Sequence, residues 1–175
     1  MFDDFTVKFI QEKHRFQERK YSLAPYYTHP LAVGYLVMKY KKSHKIDVIY
    51  KAALLHDTIE DTDTTEEEID TAFGWHVLSL VQELTSDKKE IKRIGKTAYL
   101  SNKMVNMSSY ALVIKLCDRL HNCMDFIFAD KKFIDKYIKE TEDILEYLET
   151  NRELSGTHKA IIVDIRRYLE LGKVF

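Results

Sequence analysis

Glycine and proline are scarce in this sequence, at 5 and 2 residues of 175. With so few turn formers and almost no apolar–polar alternation, a sheet protein is excluded and helical spacing dominates. Cysteine is nearly absent too. Cys117 and Cys123 lie six apart in a helical pattern, on different faces, and form neither a CxxC pair nor a disulfide framework. No apolar run approaches the ~20 residues that a membrane span needs. An excess of either charge is missing as well, since 27 basic residues face 28 acidic ones. That balance leaves no global basic footprint and disfavours nucleic acid as a stable partner. The first residues, MFDDFTVKF, are acidic where a secretory signal is basic, and they carry no apolar segment. A cytoplasmic protein with no membrane partner is the expectation.

What is present is a core and a charged surface: 45% of residues are hydrophobic and 31% charged. No internal repeat, linker or low-complexity segment interrupts the chain, so residues 1–175 read as a single all-α domain. The apolar spacing predicts helices over 4–20, 28–43, 46–60, 65–73, 75–86, 88–105, 109–128, 131–150 and 157–171. Pro25 breaks the chain after the first, and Pro30 suits the first turn of the second.

One stretch resists a purely structural reading. In AALLHDTIEDTD an apolar run ends at His56, and Asp57, Glu60, Asp61 and Asp63 follow within seven residues with no Lys or Arg among them. Like charges this close repel unless a cation lies between them. Asp63 reads as a cap of the next helix. There Thr64 or Thr65 begins a capping box with the glutamates of the run Glu66–Glu67–Glu68, whose charges answer the helix dipole.

His56 and Asp57 can share one ion if it lies beside their helix, which leaves further ligands to come from elsewhere. His29, in YYTHPL at a helix start, is one candidate. Asp118, in the strongly apolar VIKLCDRLHN, is another, because a carboxylate enters such a helix when it is paired or metal-bound. His121, Asn122 and Asp125 follow on its face, and Asn122 is suited to touch a substrate or orient a ligand. Two imidazoles and two carboxylates suit one Mn²⁺, Fe²⁺ or Zn²⁺ ion. Such an ion acidifies bound water, and Glu60 and Asp61 stand one turn on to orient that water and exchange its proton. His14, His44, His76, His121 and His158 read as ordinary structural histidines.

Basic residues cluster at Lys13, Arg15, Arg19 and Lys20, and again at Lys88, Lys89, Lys92, Arg93 and Lys96. Each cluster reads as a solvated face or as a rim for a multiply phosphorylated anion.

The segments KHRFQERK, PYYTHPLAV, AALLHDTIEDTDTTEEEI, FGWHVLSLVQELTSDK and ALVIKLCDRLHN together resemble the HD-domain metal-dependent phosphohydrolases. Among these the sequence is most similar to the alarmone hydrolases, stand-alone counterparts of the hydrolase domain of RelA/SpoT proteins. The resemblance implies an all-helical bundle and one Mn²⁺ held by His29, His56, Asp57 and Asp118, with Glu60 and Asp61 supporting the attacking water. It implies hydrolysis alone, of the 3′-pyrophosphate of ppGpp or pppGpp, to GDP or GTP plus pyrophosphate. Arg19 and Lys20 fall on the base-pocket pair, Asn122 falls near the ribose and phosphates, and Lys88 is a further candidate for the phosphates. Two positions depart from the family pattern. Phe16 replaces a small residue and Met124 replaces an arginine, a cation for which Lys88, Lys92, Arg93 or Lys96 is the compensating candidate. These departures motivate one alternative, a phosphatase of another phosphorylated nucleotide such as NADPH. A second, a nucleotide-sensing module without turnover, predicts losses among the six metal and proton-handling positions, all of which are present.

Overall fold

Residues 4–174 are described by the computed structural model of the chain. Among them the regular structure is helical, and the only strand-like pairing is one bridge between Glu18 and Pro25. The all-α expectation is met. The chain divides after Thr85 into two compact units.

The first unit is organised around α3, Ile46–Leu55, after α1 (Asp4–Lys13) and α2 (Thr28–Tyr40). In α3, Ile49, Tyr50 and Ala52 to Leu55 are all buried, because α1, α2 and α6 (Trp75–Leu84) pack around it. Each fully buried aliphatic side chain of this kind contributes on the order of 1.5–3 kcal/mol. Gly34 sets how closely α2 approaches. A Cβ there would lie 2.8 Å from Tyr50 Cε2 and 3.1 Å from Leu54 Cδ2, so only a residue without a side chain fits unshifted.

Two predicted helices of this unit are shorter than the periodicity suggests. The first stops at Lys13 rather than residue 20, because the next segment turns back on itself and pairs its backbone groups across that turn. Arg19 N–H donates to Ala24 O at 2.8 Å and Tyr26 N–H to Gln17 O at 2.8 Å. The third ends at Leu55, where side chains take its last carbonyls. Thr58 Oγ1 donates to Leu55 O at 2.7 Å, and His56 Nδ1 donates to Ala53 O at 2.8 Å. The chain restarts as the one-turn α4, Thr58–Asp61.

Before α5 (Glu66–Phe73), Thr65 is the cap and accepts from Glu68 N–H at 3.1 Å. The expected return from Glu68 is replaced by an ion pair to Lys13 at 2.9 Å. Asp63, expected to cap, meets Lys13 at 3.3 Å instead. Burial works against the Lys13 ammonium, but hydrogen bonds to Glu68 and then Asp63 outweigh it and hold the group above its ordinary value.

The second unit comprises α7 (Lys88–Ile94), α8 (Lys96–Asn106), α9 (Ser109–Met124) with a 3-10 turn at Asp125–Phe128, α10 (Lys131–Asn151) and α11 (Gly156–Gly172). The predicted helix 88–105 is cut in two by Gly95, whose φ of +86° lies in the region that favours glycine. Its core is α9, packed against α11, with α10 against α8 and α11. Arg152 closes α8 by donating from Nη1 to the carbonyls of Met104, Val105 and Met107 at 3.0, 3.1 and 2.6 Å. His158, read as an ordinary structural histidine, completes the reciprocal capping box of α11 with Ser155.

Arg119 is 3% exposed and ties α9 to α10. It donates to Thr141 Oγ1 at 2.8 Å and to Glu140 Oε1 at 3.2 Å, and lies 5.0 Å from the centre of the Tyr137 ring. Removing one partner of a buried ion pair strands the other. Lys96 also reaches Glu140 at 3.2 Å, so Arg119→Leu is expected to cost about 3 kcal/mol in urea unfolding, the low end for a broken buried pair. Glu140→Gln, which keeps an acceptor oxygen, is expected to cost less.

Candidate active site

In the first unit, α2 carries His29 in its opening turn, and the break after α3 carries His56 and Asp57. His29 is 1% and His56 2% exposed, and their rings stand 5.3 Å apart, edge to face. Both turn toward one carboxylate oxygen. Asp57 Oδ2 lies 3.0 Å from His56 Nε2 and 3.7 Å from His29 Nε2. It also accepts a 2.6 Å hydrogen bond from the Tyr26 hydroxyl.

The donor set fits a divalent metal. A backbone carbonyl only accepts, so His56 Nδ1 carries its proton toward Ala53 O, and in that tautomer Nε2 offers a lone pair on the side of Asp57. Two imidazole nitrogens and a carboxylate oxygen, without a thiolate, form the mixed set preferred by Mn²⁺, Fe²⁺ and Zn²⁺. Cys123 is no rival ligand, since burial pushes its thiol up to about 12.

Glu60 and Asp61 occupy the last two positions of α4, one turn past His56 and Asp57. Glu60 is half-buried and Asp61 exposed. Arg19 is half-buried with its guanidinium 5.8 Å from the centre of the Tyr26 ring, and the Lys20 ammonium lies 4.8 Å from the Tyr21 ring. Phe16, the first departure from the family pattern, is 87% exposed beneath the Arg15 guanidinium.

In the second unit, Asp118 is a buried carboxylate on α9 with both oxygens engaged. Lys115 donates to Oδ2 at 2.9 Å and Asn122 Nδ2 to Oδ1 at 2.8 Å. Asn122 shares the face of Asp118, as its spacing predicts. Lys115 is the unanticipated neighbour and supplies a positive charge within this unit. Lys88 is exposed at the first position of α7. Two of the expected compensating cations hold carboxylates of their own. Arg93 grips Glu90 with contacts of 2.5 and 2.8 Å, and Lys96 meets Glu140 at 3.2 Å.

Sequence reasoning missed Tyr26, Gln17 and Lys115. The signal for Tyr26 was its place three residues before His29. Lys115, three residues before Asp118 on a helix, was open to the same spacing argument.

Paired buried histidines beside a His-Asp step on an all-α chain form a donor set that fits a divalent metal. The HD-domain family model matches residues 6–153, and the chain belongs to that family. Among curated proteins it is similar to the guanosine-3′,5′-bis(diphosphate) 3′-pyrophosphohydrolase MESH1 of Xenopus tropicalis, at 39% identity, covering 91% of this chain and 92% of that one. The Danio rerio MESH1 is 39% identical over 69% of this chain and 66% of its own length. The Homo sapiens MESH1 is 33% identical over 88% and 89% of the two chains. Among solved structures it is similar to a metazoan ortholog of SpoT described as hydrolysing ppGpp. The TM-score is 0.76 at 26% identity, covering 93% of each chain.

Proposed function

We propose that the protein is a metal-dependent ppGpp and pppGpp 3′-pyrophosphohydrolase, releasing pyrophosphate and leaving GDP or GTP. The observation that carries this reading is the convergence of His29, His56 and Tyr26 on Asp57, directly ahead of Glu60 and Asp61. Similarity to relatives named for this reaction supports the substrate.

In this reading the two units act as one hydrolase domain over residues 1–175. His29, His56, Asp57 and Asp118 hold one divalent ion, Mn²⁺ in the first instance. When bound, the ion supplies Lewis acidity and lowers the pKa of water. Glu60 and Asp61 orient the attacking water and accept its proton. Arg19 and Lys20 hold the base, while Asn122 and Lys88 answer the ribose and phosphate oxygens. Attack at phosphorus breaks the bond to the 3′ oxygen, so pyrophosphate leaves and the nucleoside regains its 3′ hydroxyl. No described helix is long and apolar enough to cross a membrane.

The test is incubation of pure protein with ppGpp and Mn²⁺. Stoichiometric GDP and pyrophosphate are expected, with turnover stopped by EDTA and restored by added Mn²⁺. Intact ppGpp after long incubation would overturn the reading.

A further inference from the structure

α4 is a helix of four residues, too short to hold its own shape. It nonetheless carries the two acids assigned to the water. Thr62 takes the Thr58 carbonyl through both its N–H and its hydroxyl, and the carbonyl at the far end, that of Asp61, is open to a side chain from outside the helix. Gln17 fills that place, donating from Nε2 to the Asp61 carbonyl at 2.6 Å.

The remaining atoms of this contact lead back to the metal ligands. With Gln17 Nε2 donating, its Oε1 accepts from His14 Nδ1–H at 2.7 Å. His14 is 1% exposed, and its ring packs on Tyr26 at 4.9 Å between centroids. The Tyr26 hydroxyl holds Asp57 Oδ2. Backbone bonds keep the three residues in register, since Gln17 N–H donates to His14 O at 2.9 Å and Tyr26 N–H to Gln17 O at 2.8 Å. A continuous path thus runs from Asp61 through Gln17, His14 and Tyr26 to Asp57. It lies wholly within the first unit.

We propose that Gln17 and His14 are positioning residues that fix the Asp61 end of α4 against Asp57 through Tyr26. His14 thereby supports the site through Nδ1, although it touches no reacting atom. The assignment rests on the hydrolase reading for its effect on rate, but not for its effect on α4. A displacement of about 1 Å in a catalytic group can cost on the order of a hundredfold in rate.

Gln17→Met keeps the length of the side chain and removes both hydrogen bonds without adding charge. Amide exchange in the metal-free protein is the first readout. The amides of Asp61 and Thr62, bonded to Asp57 O and Thr58 O, are expected to exchange about tenfold faster in the variant, while those of α3 hold. Unchanged exchange at α4 would overturn the proposal whatever the substrate. Equal acceleration throughout α3 and α4 would also overturn it, as general loosening. In the ppGpp assay the variant is expected to lose about 10- to 100-fold in kcat with KM within about twofold. Calorimetric Mn²⁺ affinity is expected to stay within about threefold. Tyr26→Phe, which releases Asp57 directly, is expected to weaken Mn²⁺ binding by about 10- to 100-fold. If wild-type protein fails on ppGpp, the function is overturned, and the exchange experiment still decides the bridge.

Discussion

His56→Ala is expected to abolish pyrophosphate release from ppGpp, lowering kcat/KM on the order of a thousandfold or more. Three features of the site concentrate this effect on one residue. The ring is buried, its tautomer is fixed by the Ala53 carbonyl, and its Nε2 stands 3.0 Å from Asp57. Without it, two imidazoles become one, and Asp57 loses the neighbour with which it would share a cation. Mn²⁺ titration of the metal-free variant should show the matching loss of affinity. Circular dichroism should show the helices intact, because the side chain lost bonds one carbonyl at a helix end. A variant that keeps wild-type turnover would remove His56 from the metal set.

Glu60→Gln and Asp61→Asn are expected to separate chemistry from metal binding. Each replacement preserves shape and removes the capacity to take a proton. kcat should fall by about 10²- to 10⁴-fold. Mn²⁺ affinity should stay within a few-fold, since both residues lie beyond the His56–Asp57 step on α4. Single-turnover measurements with excess enzyme would place the loss in the chemical step. Loss of Mn²⁺ binding in step with rate would instead make these acids ligands.

The residues with chemical consequences were legible because their types are costly where they stand. A carboxylate among Leu116, Cys117 and Leu120, or an acid run straight after AALL, conflicts with the local pattern, and that conflict is visible in one dimension. The helices were legible for the opposite reason: their apolar spacing agrees with itself over many residues. Their ends were less so. Nothing local to residues 14–20 forecasts that Arg19 and Tyr26 pair backbone groups with Ala24 and Gln17. The break after Leu55 depends on Thr58 and His56 competing for carbonyls, which propensity averages over. The cationic rim was overcounted, since spacing cannot tell whether Arg93 faces a phosphate or Glu90. Lys13, in a cluster that reads as a solvated face or a rim, instead braces α1 against the start of α5.

The glycine at 34 bears on the site without contributing an atom to it. A methyl group there would press on the ring of Tyr50, so either that ring or the approach of α2 to α3 would have to shift. His29 rides on one of these helices and His56 stands at the end of the other. A position with no donor atom thus sits in the contact between the two elements that carry the imidazoles.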